Sequence, residues 1–80
     1  MQIKIDGNCF NNAKELHSYL KEKLSFPDYY GENLDALYDV MMDIRSSLVI
    51  EASNMEKYPG FLEVFEDLAA DNPNISLKLS

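Results

Sequence analysis

The run PDYYGENLDALYDVMMD, residues 27–43, passes from a turn into a helix, and the other elements can be placed from it. Pro27, two tyrosines and Gly31 read as the turn. Asn33 is a strong N-cap, because its side-chain oxygen can accept an unpaired N–H of the first helical turn. At about 100° per residue, Leu34, Leu37, Val40, Met41 and Ile44 share one face, which predicts a buried stripe and a helix ending near residues 44–45. Glu32, Asp35, Asp39 and Asp43 gather on the opposite side, with Tyr38 and Met42 beside them. Asp35, Asp39 and Asp43 stack one turn apart, and such like-charge pairs destabilise a helix by roughly 0.2–0.5 kcal/mol each. Asp35 can offset some of this against the helix dipole, whereas Asp43 lies at the unfavourable end. No Lys or Arg occurs between Lys23 and Arg45, so Asp28, Glu32, Asp35, Asp39 and Asp43 have no local cation. A solvated acidic face fits this pattern. So does a surface of carboxylates and aromatics made for a cationic partner.

The chain has 80 residues, 46% of them hydrophobic, enough for one domain spanning residues 1–80 near the lower size limit for a metal-free, disulfide-free core. Its net charge of −7 argues against nucleic acid or an anionic membrane as a direct ligand and favours a basic protein. Cys9 stands alone, so an intrachain disulfide is excluded and a reducing compartment fits. The opening MQIKIDG has neither a basic n-region nor an apolar h-region, and nothing approaches a membrane span. A cytoplasmic location is expected.

Residues 2–5 read as a short strand with Ile3 and Ile5 on one face, closed by the Asp6-Gly7 turn signal. Asn11 or Asn12 can cap a first helix with Leu16, Tyr19, Leu20 and Leu24 on its apolar side. Its outer face mixes Lys14, Glu15, Lys21, Glu22 and Lys23, the charge balance that the next helix lacks. His17, at the edge of the stripe, reads as structural or surface-lying, not as a catalytic base. Pro27 is expected to stop this helix. After the acidic helix, Leu48-Val49-Ile50 reads as a central buried strand. Ser53 and Glu56 suggest a capping box for a short helical turn reaching Tyr58. Pro59 suits the first turn of a last helix carrying Phe61, Leu62, Val64, Phe65 and Leu68, with Asp67 on the flank of that stripe. Ile75, Leu77 and Leu79 alternate with polar residues in a closing strand. The order β, α, α, β, short α, α, β predicts right-handed crossovers, and hence a small two-layer α/β domain with a three-stranded parallel sheet.

Chemistry-bearing arrangements are sparse. No cysteine pair, HxxxH motif or EF-hand loop marks a metal site, the three glycines are too scattered for a phosphate loop, and no base or orienting group accompanies Cys9 or a serine. Asp35 and Asp39 as paired hydrolytic carboxylates lack an evident cleft. Neither enzyme activity nor a cofactor is expected. Acids spaced at about 5–6 Å per turn can instead mimic the phosphates of a nucleic-acid strand and occupy the cationic groove of a nucleic-acid enzyme. Tyr29, Tyr30 and Tyr38 would add rigid contact area. The alternative is a general acidic interaction module for some other basic protein.

PDYYGENLDALYD resembles the signature of the barstar family, intracellular inhibitors of the secreted bacterial ribonuclease barnase. The likeness runs from LHSYLKEKL through YYGENLDAL and resumes at FLEVF and ISLKLS, with a shorter connection between the second strand and the last helix. It implies a three-stranded parallel sheet with three main helices and one short helix. The partner it implies is a basic secreted bacterial ribonuclease of the barnase type; the free protein is expected to be a monomer, and the net charge argues against direct contact with nucleic acid or membrane. By position, Tyr29 is similar to the tyrosine that packs on the nuclease active site, and Gly31 and Asn33 to the contacting loop. Asp35 and Asp39 match the inhibitory carboxylates, Asp39 being the one implied to take the phosphate position, and Asp67 matches a glutamate that pairs with a nuclease arginine. The chain departs from the family where Tyr38 replaces a tryptophan, where Asp67 is one methylene shorter, and where Asp43 and Ile44 replace a glycine and a tryptophan. Tyr30, Met42 and Asp43 complete the expected contact set, Asp43 calling for one more cation on the nuclease.

Overall fold

The structure, a computed structural model, describes residues 1–80. Strand β1 (Gln2–Asp6) leads through a 3₁₀ turn (Gly7–Cys9) to helix α1 (Ala13–Leu24), and α2 (Leu34–Met42) follows before β2 (Leu48–Ser53). A second 3₁₀ turn (Met55–Lys57), α3 (Pro59–Asp71) and β3 (Ile75–Leu79) complete the chain. The strands pair in the order β1-β2-β3, all parallel, as the alternation of strands and helices predicts.

Register sorts the side chains by face. Ile3, Ile50 and Leu77 lie in one cross-strand row and Ile5, Ala52 and Leu79 in the next. Except for the half-buried Leu77 and the exposed Leu79, they join Leu16, Leu20, Leu37, Met41, Phe61, Phe65 and Leu68 from the helices in the core. The other face stays open and polar, with Lys4, Glu51 and Lys78 side by side across the sheet. β2 is longer than the apolar run 48–50 suggests. Leu48, Ile50 and Ala52 are buried while Val49, Glu51 and Ser53 are half-buried, so the central strand is covered on one side only.

The caps explain where the helices begin. Asn12 accepts the Glu15 N–H at 3.0 Å, and the Glu15 carboxylate reaches back to the Asn11 N–H at 3.0 Å. Asn33 accepts the Ala36 N–H at 2.8 Å. The ends differ from expectation. α1 stops before Pro27, at a left-handed Ser25 (φ 54°), where the Phe26 N–H bonds the Lys21 carbonyl at 2.9 Å. α2 stops at Met42 and not at residues 44–45, because the Asn72 side chain captures the carbonyls of Met41, Met42 and Ile44 at 3.2–3.3 Å and so replaces the next turn of the helix. Ser53 belongs to β2 and forms no capping box. The following turn is entered through a left-handed Asn54 (φ 54°), whose amide donates to Asp6 at 2.9 Å.

Candidate partner-binding face

Two helices build the face, and neither contains a Lys or Arg. α2 presents Asp35 and Asp39, with Asp43 as its C-terminal cap, and all three are exposed. α3 presents a second ladder at the same spacing, Glu63, Asp67 and Asp71, also exposed. The carboxylates that accept hydrogen bonds are those of Asp6, Glu15, Glu51 and Asp71. Those of Asp35, Asp39, Asp43, Glu63 and Asp67 accept none within the chain.

Clefts flank α2 on both sides. One, of about 260 Å³, lies between the helix and the preceding loop and is lined by Pro27, Tyr29, Tyr30, Gly31, Ala36, Asp39, Val40 and Asp43. The other, of about 280 Å³, lies between α2 and α3 and is lined by Leu34, Asp35, Tyr38, Gly60, Glu63, Val64 and Asp67. Of the ten residues expected to contact a partner, only Asn33 and Met42 line neither. Asn33 spends its side chain on the cap. Met42 is half-buried against the core, which removes most of it from the face.

The loop tyrosines have opposite roles. Tyr29 is 88% exposed, with its ring projecting beside the clefts' acids. Tyr30 is only 7% exposed, which corrects its expected role as contact area. Its hydroxyl lies 2.6 Å from His17 Nδ1, and its ring packs edge-on against Phe26 with centroids 5.0 Å apart. Tyr30 therefore anchors the loop that displays Tyr29. His17, at 5% exposure, lies 4.7 Å from the Phe61 ring centroid and is structural. The turn's left-handed residue is Glu32 (φ 51°), not Gly31. Gly31 serves closeness instead, since a Cβ there would stand 3.1 Å from the Asn33 amide that caps α2.

Electrostatics follow from this placement. Burial pushes the Tyr30 phenol up to about 12, and the nearby Glu32 charge adds to the effect. Burial also lowers the His17 pKa below its ordinary 6.5, with Glu32 opposing. The neutral imidazole can share a proton with Tyr30 in either direction, but a protonated ring puts a charge into the core. Below pH 6.5 the unfolded chain takes up a proton that folded His17 refuses, so stability falls with pH down to the folded-state value. Urea unfolding between pH 7.5 and 5 is expected to show this loss, with a flatter profile in His17→Gln. An equal slope in the two proteins would remove His17 as its cause. The Tyr38 phenol is likewise raised, first by its hydrogen bond to Asp71, then by burial and by the charges of Asp71, Asp67 and Asp39.

Asp71, Glu63 and Asn72 are the residues that the sequence pattern did not single out. A search for acids at i, i+4, i+8 in the last helix, like the one that marks α2, finds the first two. Asn72 carries no comparable signal, because its role depends on the end of α2 standing opposite.

The fold and the face together define a class: small α/β proteins whose distinguishing surface is an acidic pair of helices. The chain belongs to the Barstar family, described as "Barstar (barnase inhibitor)", which matches residues 1–78. It is also 46% identical over 69 residues to a Bacillus subtilis (strain 168) protein named "Putative ribonuclease inhibitor YrdF", across 82% of this chain and 74% of that protein. No helix is long and apolar enough to cross a membrane.

Proposed function

We propose that this protein inhibits a basic secreted bacterial ribonuclease of the barnase type by seating its acidic face in the nuclease's cationic active site. The observation that carries the reading is the set of exposed carboxylates on two cation-free helices, unpaired within the chain, in a member of an inhibitor family. Asp39 takes the place of the scissile phosphate among the nuclease's cationic groups, and Asp35, Asp43 and Asp67 meet cations around it. Tyr29 packs on the rim of that site, with Gly31 and Asn33 shaping the loop below. Inhibition is by occlusion: RNA and inhibitor compete for one groove, and no chemical step falls to this chain. The free protein acts as a monomer in the cytoplasm, a setting in keeping with the exposed, unpaired Cys9.

The experiment is a titration of this protein into barnase and related secreted ribonucleases while RNA cleavage is followed. Cleavage is expected to vanish near one equivalent, with affinity falling as salt rises, since exposed charges are screened over about 10 Å at 0.1 M. Undiminished cleavage across such a panel, at excess inhibitor, would overturn the proposal.

A further inference from the structure

The acids of the face come from two separate helices, and the relative placement of those helices decides whether the acids can act together. One side-chain to side-chain hydrogen bond joins α2 to α3: the Tyr38 hydroxyl donates to Asp71 Oδ2 at 2.5 Å, across 33 residues of sequence. That length lies at the short end for a hydroxyl–carboxylate bond.

We propose that the Tyr38–Asp71 hydrogen bond is a positioning device, which holds Asp67 on α3 in register with Asp35 and Asp39 on α2 so that they reach a nuclease's cations as one set. The inference rests on the inhibitor reading and names the residues that pre-arrange its face. Asp71 makes little sense as a stabiliser of α3. It is exposed and stands at the negative end of the helix dipole, where the last turn holds no basic residue, so its carboxylate is unfavourable there unless something binds it. The phenol binds it. Asp67 lies one turn before Asp71 on the same side of α3, so anchoring Asp71 sets the rotation of α3 that aims Asp67 at the groove it shares with Asp35 and Tyr38. Leu37 and Met41 of α2 share one buried cluster with Phe61, Phe65 and Leu68 of α3, which sets the coarse placement of the two helices, and the remaining ties act at their ends. At the start, Gly60 admits Leu34, whose Cδ1 would stand 2.6 Å from an added Cβ, and at the finish the Asn72 side chain holds the carbonyls of Met41 and Met42. Within the slack that this packing leaves, the Tyr38–Asp71 bond selects the rotation of α3 between those ends. The bond has a second consequence. With its hydroxyl satisfied by Asp71, Tyr38 presents only its ring, so the nuclease surface opposite needs no polar group to meet it.

The test has one arm without a partner and one with barnase as the probe. In free Tyr38→Phe, which keeps the ring, residual dipolar couplings are expected to show α3 reoriented relative to α2, while the unfolding midpoint changes little. Asp71→Asn retains an acceptor for the phenol and is expected to preserve the native orientation. Unchanged couplings in Tyr38→Phe overturn the proposal whatever the protein binds. With barnase, Tyr38→Phe is expected to weaken binding roughly three- to tenfold, the range of coupled neighbouring groups, and Asp67→Asn is expected to lose most of its effect in that background. If the two losses simply multiply, Tyr38 is only structural and the positioning role fails. If the native protein leaves barnase untouched, the inhibitor reading fails for that enzyme and the couplings alone decide the positioning.

Discussion

Asp39→Ala is expected to weaken binding to a barnase-type ribonuclease roughly a hundredfold or more, the scale of desolvated charged hot spots, for which the barnase–barstar pair is itself a reference case. The site geometry explains the choice of residue. Asp39 is the middle member of the α2 ladder, it lines the cleft that Tyr29 borders, and no donor within the chain satisfies it. Removing it would leave the nuclease's buried cations without a counter-charge, and such a loss appears mainly in the dissociation rate. The fold is expected to be unharmed. The substitution removes two like-charge neighbours, each costing roughly 0.2–0.5 kcal/mol, and introduces the best helix former. Glu22→Ala, on the outer face of α1, is the control and should change affinity little. Calorimetric titration beside urea unfolding checks both halves. Equal affinities for the two variants would remove Asp39 from the interface, and a marked loss of stability would make its carboxylate structural.

Gly7→Ala is expected to be the most damaging small substitution for stability. An added Cβ would lie 1.9 Å from the Asn54 carbonyl oxygen and 2.9 Å from its carbon, both backbone atoms. Gly7 is needed for this close approach and not for its dihedral freedom, because none of the glycines has a positive φ. Neither side can retreat cheaply. Asp6 Oδ1 accepts from the Asn8 N–H and from the Asn54 amide, each at 2.9 Å, which locks the exits of β1 and β2 together. Overpacking against fixed backbone costs about 3 kcal/mol, which in a domain of this size lowers the melting temperature on the order of 10–20 °C. At Gly60 the obstacle is the tip of the Leu34 side chain, which can swing away, so Gly60→Ala should cost much less. Thermal unfolding of both variants ranks them, and a Gly7→Ala protein that melts with the native chain would show slack in that junction.

Much of this architecture is readable in advance, because periodicity and capping are local. Leu37 and Met41 are fully buried where a 3.6-residue period places them, and Asn12 and Asn33 cap the helices that their spacing predicts. Features that depend on a distant partner are not readable this way. α2 ends early because Asn72 stands opposite, some thirty residues on, and Ser53 fails to cap because β2 runs through it to pair with Asp6. Tyr29 and Tyr30 are adjacent in a loop, where no period tells inward from outward, and only His17 and Phe26 on the packed side separate them. The acidic ladder of α2 is conspicuous because it lacks lysines. That of α3 lacks them too, but Phe65 and Glu66 between its members mask the spacing.

An inhibitor that works one to one must be present at no less than its target's concentration, and crowding of that kind endangers any small open sheet. Both outer strands of this one have unpaired edges that a second copy could extend. Lys4 near the middle of β1 and Lys78 near the end of β3 put a positive charge on each edge, while Glu51 stands between them in register and accepts from the Gln2 amide at 2.6 Å. Two copies approaching edge to edge would set lysine against lysine. The uncovered face thus guards against aggregation, and the chain can accumulate to the level its task requires while its opposite side is kept for a partner.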